Sequence, residues 1–171
     1  MGHLIRKAEV KDATEIAKIH VETWQSHYRG QISDDYLDKL SIEEREKKWK
    51  ERLNNLKPET AVFVSESNGE ILGFCWVGPD NDKDEANDVG ELYAIYIAQN
   101  YQGRGLGSDL MKTGLEYLRK EGFKKAVLWV LKTNISTIKF YESKGWKANG
   151  KEKADKRGSV TFEDVGYSIE L

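Results

Sequence analysis

The sequence predicts a protein of the α/β (α+β) class built on a mixed sheet. Three observations carry that prediction. The apolar period changes from about 3.6 residues to about 2 near Pro58. Two alternating runs then meet at Asn68-Gly69, a dipeptide that favours the tight turn of an antiparallel hairpin. Farther on, an apolar run, a glycine-rich turn, an amphipathic run and a second apolar run follow one another between 92 and 131. That order is a βαβ unit, with parallel strands and a right-handed crossover.

The elements follow in chain order. Residues 3–9 read as a short first strand. Asp12 can cap a helix running to about Tyr28, with Ile16, His20, Trp24 and Tyr28 on one stripe. His20 is expected to be a partly buried core histidine, and His27, offset from the stripe, to be exposed. A second helical region follows Ser33-Asp34. Within it, Ser41-Ile42-Glu43-Glu44 is a capping box that starts a new helix, with Ile42, Trp49, Leu53 and Leu56 on its apolar side. Pro58 ends that region.

Residues 61–66 and 71–77 read as the two strands of the hairpin. Cys75, flanked by Phe74 and Trp76, is expected to be a buried strand thiol. Asp80 to Gly90 is a polar loop. Its acidic residues imitate a calcium loop, but Glu85 stands where the sharp turn demands glycine, and no helices flank it. No metal site is expected. The loop reads as solvated, or as a negative mouth that draws a cationic amine.

A strand over 92–97 leads to the glycine turn and a helix over about 105–120, stopped at Gly122. Residues 126–131 are continuously apolar, as in a strand covered on both faces. A last helix over about 134–144 ends at Gly145. Strands around 146–152 and 159–170 follow. No repeat or linker interrupts the chain, so one domain over 1–171 is expected.

Composition narrows the function. The 171 residues can bury a real core. An apolar fraction of 39% and a charged fraction of 33% fit an ordered globular chain. With 27 basic and 29 acidic side chains, the net charge of −2 gives no footprint for nucleic acid. No run approaches the roughly 18 apolar residues needed to span a bilayer. The first residues lack the apolar segment of a signal peptide, and a single cysteine excludes an intrachain disulfide. A cytoplasmic location without membrane association is expected.

The sharpest signal is Gln102-Gly103-Arg104-Gly105-Leu106-Gly107. A glycine-rich turn opening a helix offers free N–H groups at the positive end of the helix dipole, which makes an anion site. A dinucleotide turn needs Gly-x-Gly-x-x-Gly near the start of a βαβ unit, and here the spacing is Gly103-x-Gly105-x-Gly107, deep in the chain. A P-loop needs Gly-Lys-Ser/Thr after four spacers, and none is present. The remaining pattern is Gln/Arg-x-x-Gly-x-Gly.

With that pattern the chain resembles the GCN5-related N-acetyltransferases. The resemblance rests on residues 95–107 and on a second block about thirty residues later, Asn134 to Trp146, with the family's spacing between Asn134 and Tyr141. It covers essentially the whole chain. It implies a central mixed, largely antiparallel sheet of about seven strands and about four flanking helices, with a parallel, splayed pair of strands around a cofactor slot. It also implies acetyl transfer from acetyl-CoA, as co-substrate and without a metal, to a primary amine of a small molecule or protein. The attack would be direct, within a ternary complex. Family members often form homodimers.

Site roles follow from the resemblance. Gly103, Arg104, Gly105, Leu106, Gly107 and Ser108 are expected at the pyrophosphate, with Gln102. Ile95, Tyr96 and Ile97 are expected along the pantetheine arm, with the Ile97 N–H as oxyanion donor. Asn134 suits a pantetheine amide. Tyr141 is the expected acid toward the leaving thiolate, and Glu91 the base, directly or through water. Where some members carry an acidic residue on the following strand, this chain has Trp129. Trp24 and Tyr28 are expected to border the acceptor. The rival reading is an acyl-CoA-binding regulatory module without transfer, which Glu91 and Tyr141 argue against. A nicotinamide-dependent oxidoreductase is disfavoured by the glycine spacing.

Overall fold

A computed structural model describes residues 2–82, 87–157 and 159–171. The middle of the polar loop, including the calcium-like Asp84 and the contrary Glu85, lies outside the described residues.

Seven strands form one sheet: β1 Leu4–Lys7, β2 Ala61–Ser67, β3 Glu70–Pro79, β4 Val89–Ile97, β5 Lys125–Leu131, β6 Lys147–Arg157 and β7 Val160–Glu170. Their spatial order is β1-β2-β3-β4-β5-β7-β6. Every neighbouring pair is antiparallel except β4 and β5. The α-helices are α1 Ala13–His27, α2 Asp34–Asp38, α3 Ile42–Asn54, α4 Leu106–Lys120 and α5 Ile135–Ser143. Among the described residues they number five rather than about four, because the region after Ser33 divides. Ser33 Oγ accepts from Tyr36 N–H and Ser41 Oγ from Glu44 N–H, both at 3.2 Å, so each serine starts its own helix.

The hairpin turn is as expected, with Asn68 and Gly69 both at positive φ (51° and 81°). Asp12 stands at the N-cap of α1 but makes no side-chain cap there. Its carboxylate instead receives the Arg6 guanidinium at 2.8 and 3.0 Å and the Glu9 N–H at 2.7 Å. The charged fork and the Glu9 N–H together occupy the oxygens that a cap would use.

The sheet separates two apolar layers. On one face α4 and α5 bury Leu110, Met111, Leu118 and Tyr141 against Cys75, Val77, Leu128 and Tyr167. On the other, α1 and α3 bury Ile16, Ala17 and Trp49 against Val62, Val64 and Phe74. A third cluster joins the end of α1 and α2 to the β5 end and the β6–β7 hairpin through Ile32, Leu37, Leu131 and Phe162.

One irregularity matters for function. Trp76 pairs with Ala94 and Val77 with Leu92, so Tyr93 is an extra residue on β4. Such a bulge bends its strand and increases its twist. The parallel ladder of β4 and β5 runs over Val89↔Lys125, Gly90↔Ala126 and Glu91↔Val127 and stops there. Both strands continue beyond it, to Ile97 and Leu131. The strands therefore diverge from Glu91 onward, just ahead of the bulge, and a slot opens between them.

Candidate active site

A cavity of ≈ 450 Å³ fills that slot. Its walls come from β4 residues 92–97, the glycine turn, the start of α4, the end of β5, the α5 face and the last turn of α1.

The β4 wall offers an unpaired backbone edge. Ala98 N–H donates to Leu72 O at 2.9 Å, toward β3. Successive strand residues turn to opposite sides, so Ile97 and Ile95 aim their N–H and C=O groups into the slot. Gln102 Nε2 donates to Ile97 O at 3.1 Å. That occupies the carbonyl and leaves the Ile97 N–H as the donor facing the cavity.

The glycine turn supplies more donors. Gly103 and Gly105 have φ of +73° and +84°, values that a side chain would strain. Gly105 is the N-cap of α4 and carries no side-chain cap. The first intrahelical bond of α4 is Asp109 N–H to Gly105 O at 3.1 Å. The N–H groups of Leu106, Gly107 and Ser108 therefore have no acceptor within the helix, and all three residues line the cavity. Arg104 lies outside the lining. Its guanidinium donates to Asn100 O at 3.1 Å and sits 5.3 Å from the Tyr101 ring centroid.

Asn134 is the N-cap of α5, Tyr141 lies in its last turn, and both reach the cavity. Asn134 is 4% exposed, and its Oδ1 accepts from Ser136 Oγ at 3.3 Å. Tyr141 is 7% exposed and packs edge-on against Trp146. Burial pushes its phenol far above the ordinary value. It therefore stays an O–H donor across the working range of pH.

Glu91 occupies the last parallel pair, next to Leu92 of the cavity wall, but does not line the cavity itself. It is 8% exposed. Its Oε2 accepts from Asn81 N–H at 3.1 Å and from Asn81 Nδ2 at 3.2 Å. Burial raises its carboxyl to about 7, aided by the charge of Asp80 and opposed by the Asn81 N–H and Lys153.

On the α1 side, Tyr28 lines the cavity and Trp24 does not. The Trp24 indole donates to Tyr96 OH at 3.1 Å, holding that cavity-lining phenol from behind. His27 is half-buried and lines the cavity with Thr23, contrary to the expectation that it is exposed. The cavity borders the last turn of α1, so residues off the core stripe face the slot. His20 is a core histidine. Its Nδ1 accepts from Trp49 Nε1 at 3.2 Å, and burial lowers it to about 3.

Ser136, Thr137, Phe140 and Tyr101 also line the cavity; they lie inside the two blocks read from the sequence, but no role was assigned to them there. The first three follow Asn134 on one turn-by-turn face of α5, so a helix opening at Asn134 toward the slot was the available clue.

Among the described residues no cluster of His, Cys, Asp and Glu could hold a metal ion, and no helix is long and apolar enough to cross a membrane.

Comparison with known proteins fits this arrangement. Residues 4–146 match the model described as the acetyltransferase (GNAT) family. The chain is 40% identical over 140 residues to the uncharacterized N-acetyltransferase YuaI of Bacillus subtilis (strain 168), covering 81% of this chain and 77% of that protein. It is 31% identical over 142 residues to an uncharacterized N-acetyltransferase of Archaeoglobus fulgidus, covering 81% and 89%. In fold it is similar to the PaiA N-acetyltransferase of Thermoplasma acidophilum in complex with coenzyme A, with a TM-score of 0.75, 21% identity and full coverage of both chains (100% each). It is likewise similar to yncA of Salmonella typhimurium with acetyl-CoA, with a TM-score of 0.74, 19% identity and coverage of 100% and 95%.

Proposed function

This chain belongs to the acetyltransferase (GNAT) family and is an acetyl-CoA-dependent N-acetyltransferase, and from that premise we propose that the β4–β5 slot passes the acetyl group to a primary amine by direct attack within a ternary complex. One observation carries the reading: the unpaired β4 edge, the uncapped start of α4, Asn134 and Tyr141 all face one cavity. That donor set fits acetyl-CoA, which has a pyrophosphate at one end, amides along its arm and a thioester at the other.

In this reading the N–H groups of Gly103 to Ser108 hold the pyrophosphate at the positive end of α4. Ile95 and Ile97 pair with the arm as a strand would, and Asn134 takes one of its amides. The Ile97 N–H donates to the carbonyl oxygen as negative charge develops there. Acetyl-CoA supplies the acetyl group, so a C–N bond forms as the C–S bond breaks. Glu91, through water, takes the proton that the amine must lose. A carboxylate near 7 is well matched to that task at neutral pH. Tyr141 donates its O–H to the departing thiolate. The acceptor is a primary amine of a small molecule or of a protein.

Calorimetric titration with acetyl-CoA tests the premise of the slot. Saturable binding is expected, and no heat at millimolar cofactor overturns it.

A further inference from the structure

The polar loop after β3 begins with a built turn. Asp80 N–H donates to Val89 O at 3.0 Å, which ties the turn to β4. Asp82 N–H donates to Asp80 Oδ1 at 3.1 Å, an Asx turn that fixes the residue between them. Lys151, from the edge strand β6, meets Asp82 Oδ2 at 3.3 Å. The residue held between Asp80 and Asp82 is Asn81, and its turn is tethered to two strands.

Asn81 puts both of its nitrogens on one oxygen. Its backbone N–H donates to Glu91 Oε2 at 3.1 Å, and its Nδ2 donates to the same atom at 3.2 Å. Among the described residues, no other N–H donates to that carboxyl. The Tyr93 phenol, two residues along β4, gives its O–H to Pro79 O instead. Asn81 is exposed, whereas Glu91 is buried. An exposed amide therefore serves a buried acid.

The other surroundings of Glu91 are less favourable to its charge. In the sheet it stands beside Gly78 of β3 and Val127 of β5, neither of which has a side-chain donor. Burial opposes the charged form most strongly, and the charge of Asp80 adds to it, while the Asn81 N–H and Lys153 of β6 favour it. The Tyr93 phenol feels the Glu91 charge in turn. A carboxylate in such a place keeps its charge through the donors aimed at it.

We propose that Asn81 is a positioning residue for Glu91, holding the buried carboxylate in the charged form that takes the acceptor's proton. The amide side chain is the replaceable part, because the backbone N–H survives its substitution. This inference rests on the reading of Glu91 as the base and deepens it. The first residues of the calcium-like loop thus serve a carboxyl group of the neighbouring strand.

Two readouts test it, one of them without turnover. Carbon-13 carboxyl resonances of glutamate-labelled protein give the Glu91 midpoint directly, with its line identified by its loss in Glu91→Gln. Removing one charge-assisted hydrogen bond in Asn81→Ala should move that midpoint up by about one pH unit. Asn81→Asp sets a carboxylate where the amide stood and should move it at least as far. Asn81→Gln keeps an amide donor on a longer arm and should move it less. The second readout is CoA release from acetyl-CoA with a diamine, an amino-acid amide and a lysine-containing peptide. With the best of these acceptors, Asn81→Ala should lower kcat about fivefold near pH 7 and much less near pH 9, with KM for acetyl-CoA within about twofold. Added to Glu91→Gln, Asn81→Ala should change nothing further. An unmoved midpoint, or the same loss of kcat at every pH, overturns the proposal. The midpoint decides it even where none of these amines is acetylated. If the midpoint moves in a protein that binds no acetyl-CoA, the hold of Asn81 on Glu91 stands and the transfer reading alone fails.

Discussion

Burial holds the Tyr141 phenol well above its ordinary pKa, so it keeps its proton at neutral pH. Replacing it with phenylalanine keeps the ring and its packing against Trp146 and removes the O–H. Turnover should fall by about a hundredfold or more, while acetyl-CoA affinity measured by calorimetry stays within about twofold. Unchanged turnover removes Tyr141 from the chemistry. Glu91 makes a pH prediction. A base acts when deprotonated, and burial raises this carboxyl to about 7. The rate should therefore fall as pH drops below about 7, and Glu91→Gln should lower the plateau and abolish that limb. His20 makes another, on stability. Its folded pKa of about 3 lies below the ordinary value near 6.5, so between those values the unfolded chain binds a proton that the native protein refuses. The His20 contribution to stability should be intact above about pH 6.5 and decline as pH falls toward 3, by about 4–5 kcal/mol. His20→Asn should flatten that decline in denaturant melts across pH. Asn134 and Tyr141 were legible in the sequence through the block at 134–146 that resembles the family's, and both reach the cavity. The reach of His27 and Thr23 into the cavity was not, because it depends on where α1 ends relative to β5.

Helix α4 shows competing magnitudes at the scale of an element. Gly114 lies in its interior, where alanine would favour the helix by about 1 kcal/mol. A Cβ there would stand 2.9 Å from Cys75 Sγ and 3.0 Å from Val77 Cγ1, in the buried layer between α4 and β3. Overpacking of that kind costs about 1–3 kcal/mol, so packing should win. Gly114→Ala should lower stability by about 1–2 kcal/mol in a denaturant melt; a variant as stable as the native protein would show that the layer yields. The elements themselves were mostly readable, since turn chemistry at Asn68-Gly69 and caps at Ser33 and Ser41 are local. The exception is Asp12, whose cap is lost to Arg6, and Arg6 is drawn there partly by Glu66, sixty residues away.

At the scale of the molecule, ligand and fold are linked. Cofactor bound only by the native state at about a hundred times its Kd adds about 2.7 kcal/mol to stability. For a chain of this size that is a rise of roughly 5–10 °C in Tm. Acetyl-CoA should give that shift in a thermal scan and NAD should give none.

The sequence by itself determined the order of elements, the glycine turn that opens α4 and the Asn134–Tyr141 block. Each is a short-range pattern in which spacing, glycine and capping chemistry act within a few residues. The tertiary structure alone decided where the slot opens and what surrounds it. The extra residue Tyr93 is visible only against the register of β3, and the end of the parallel ladder only against β5.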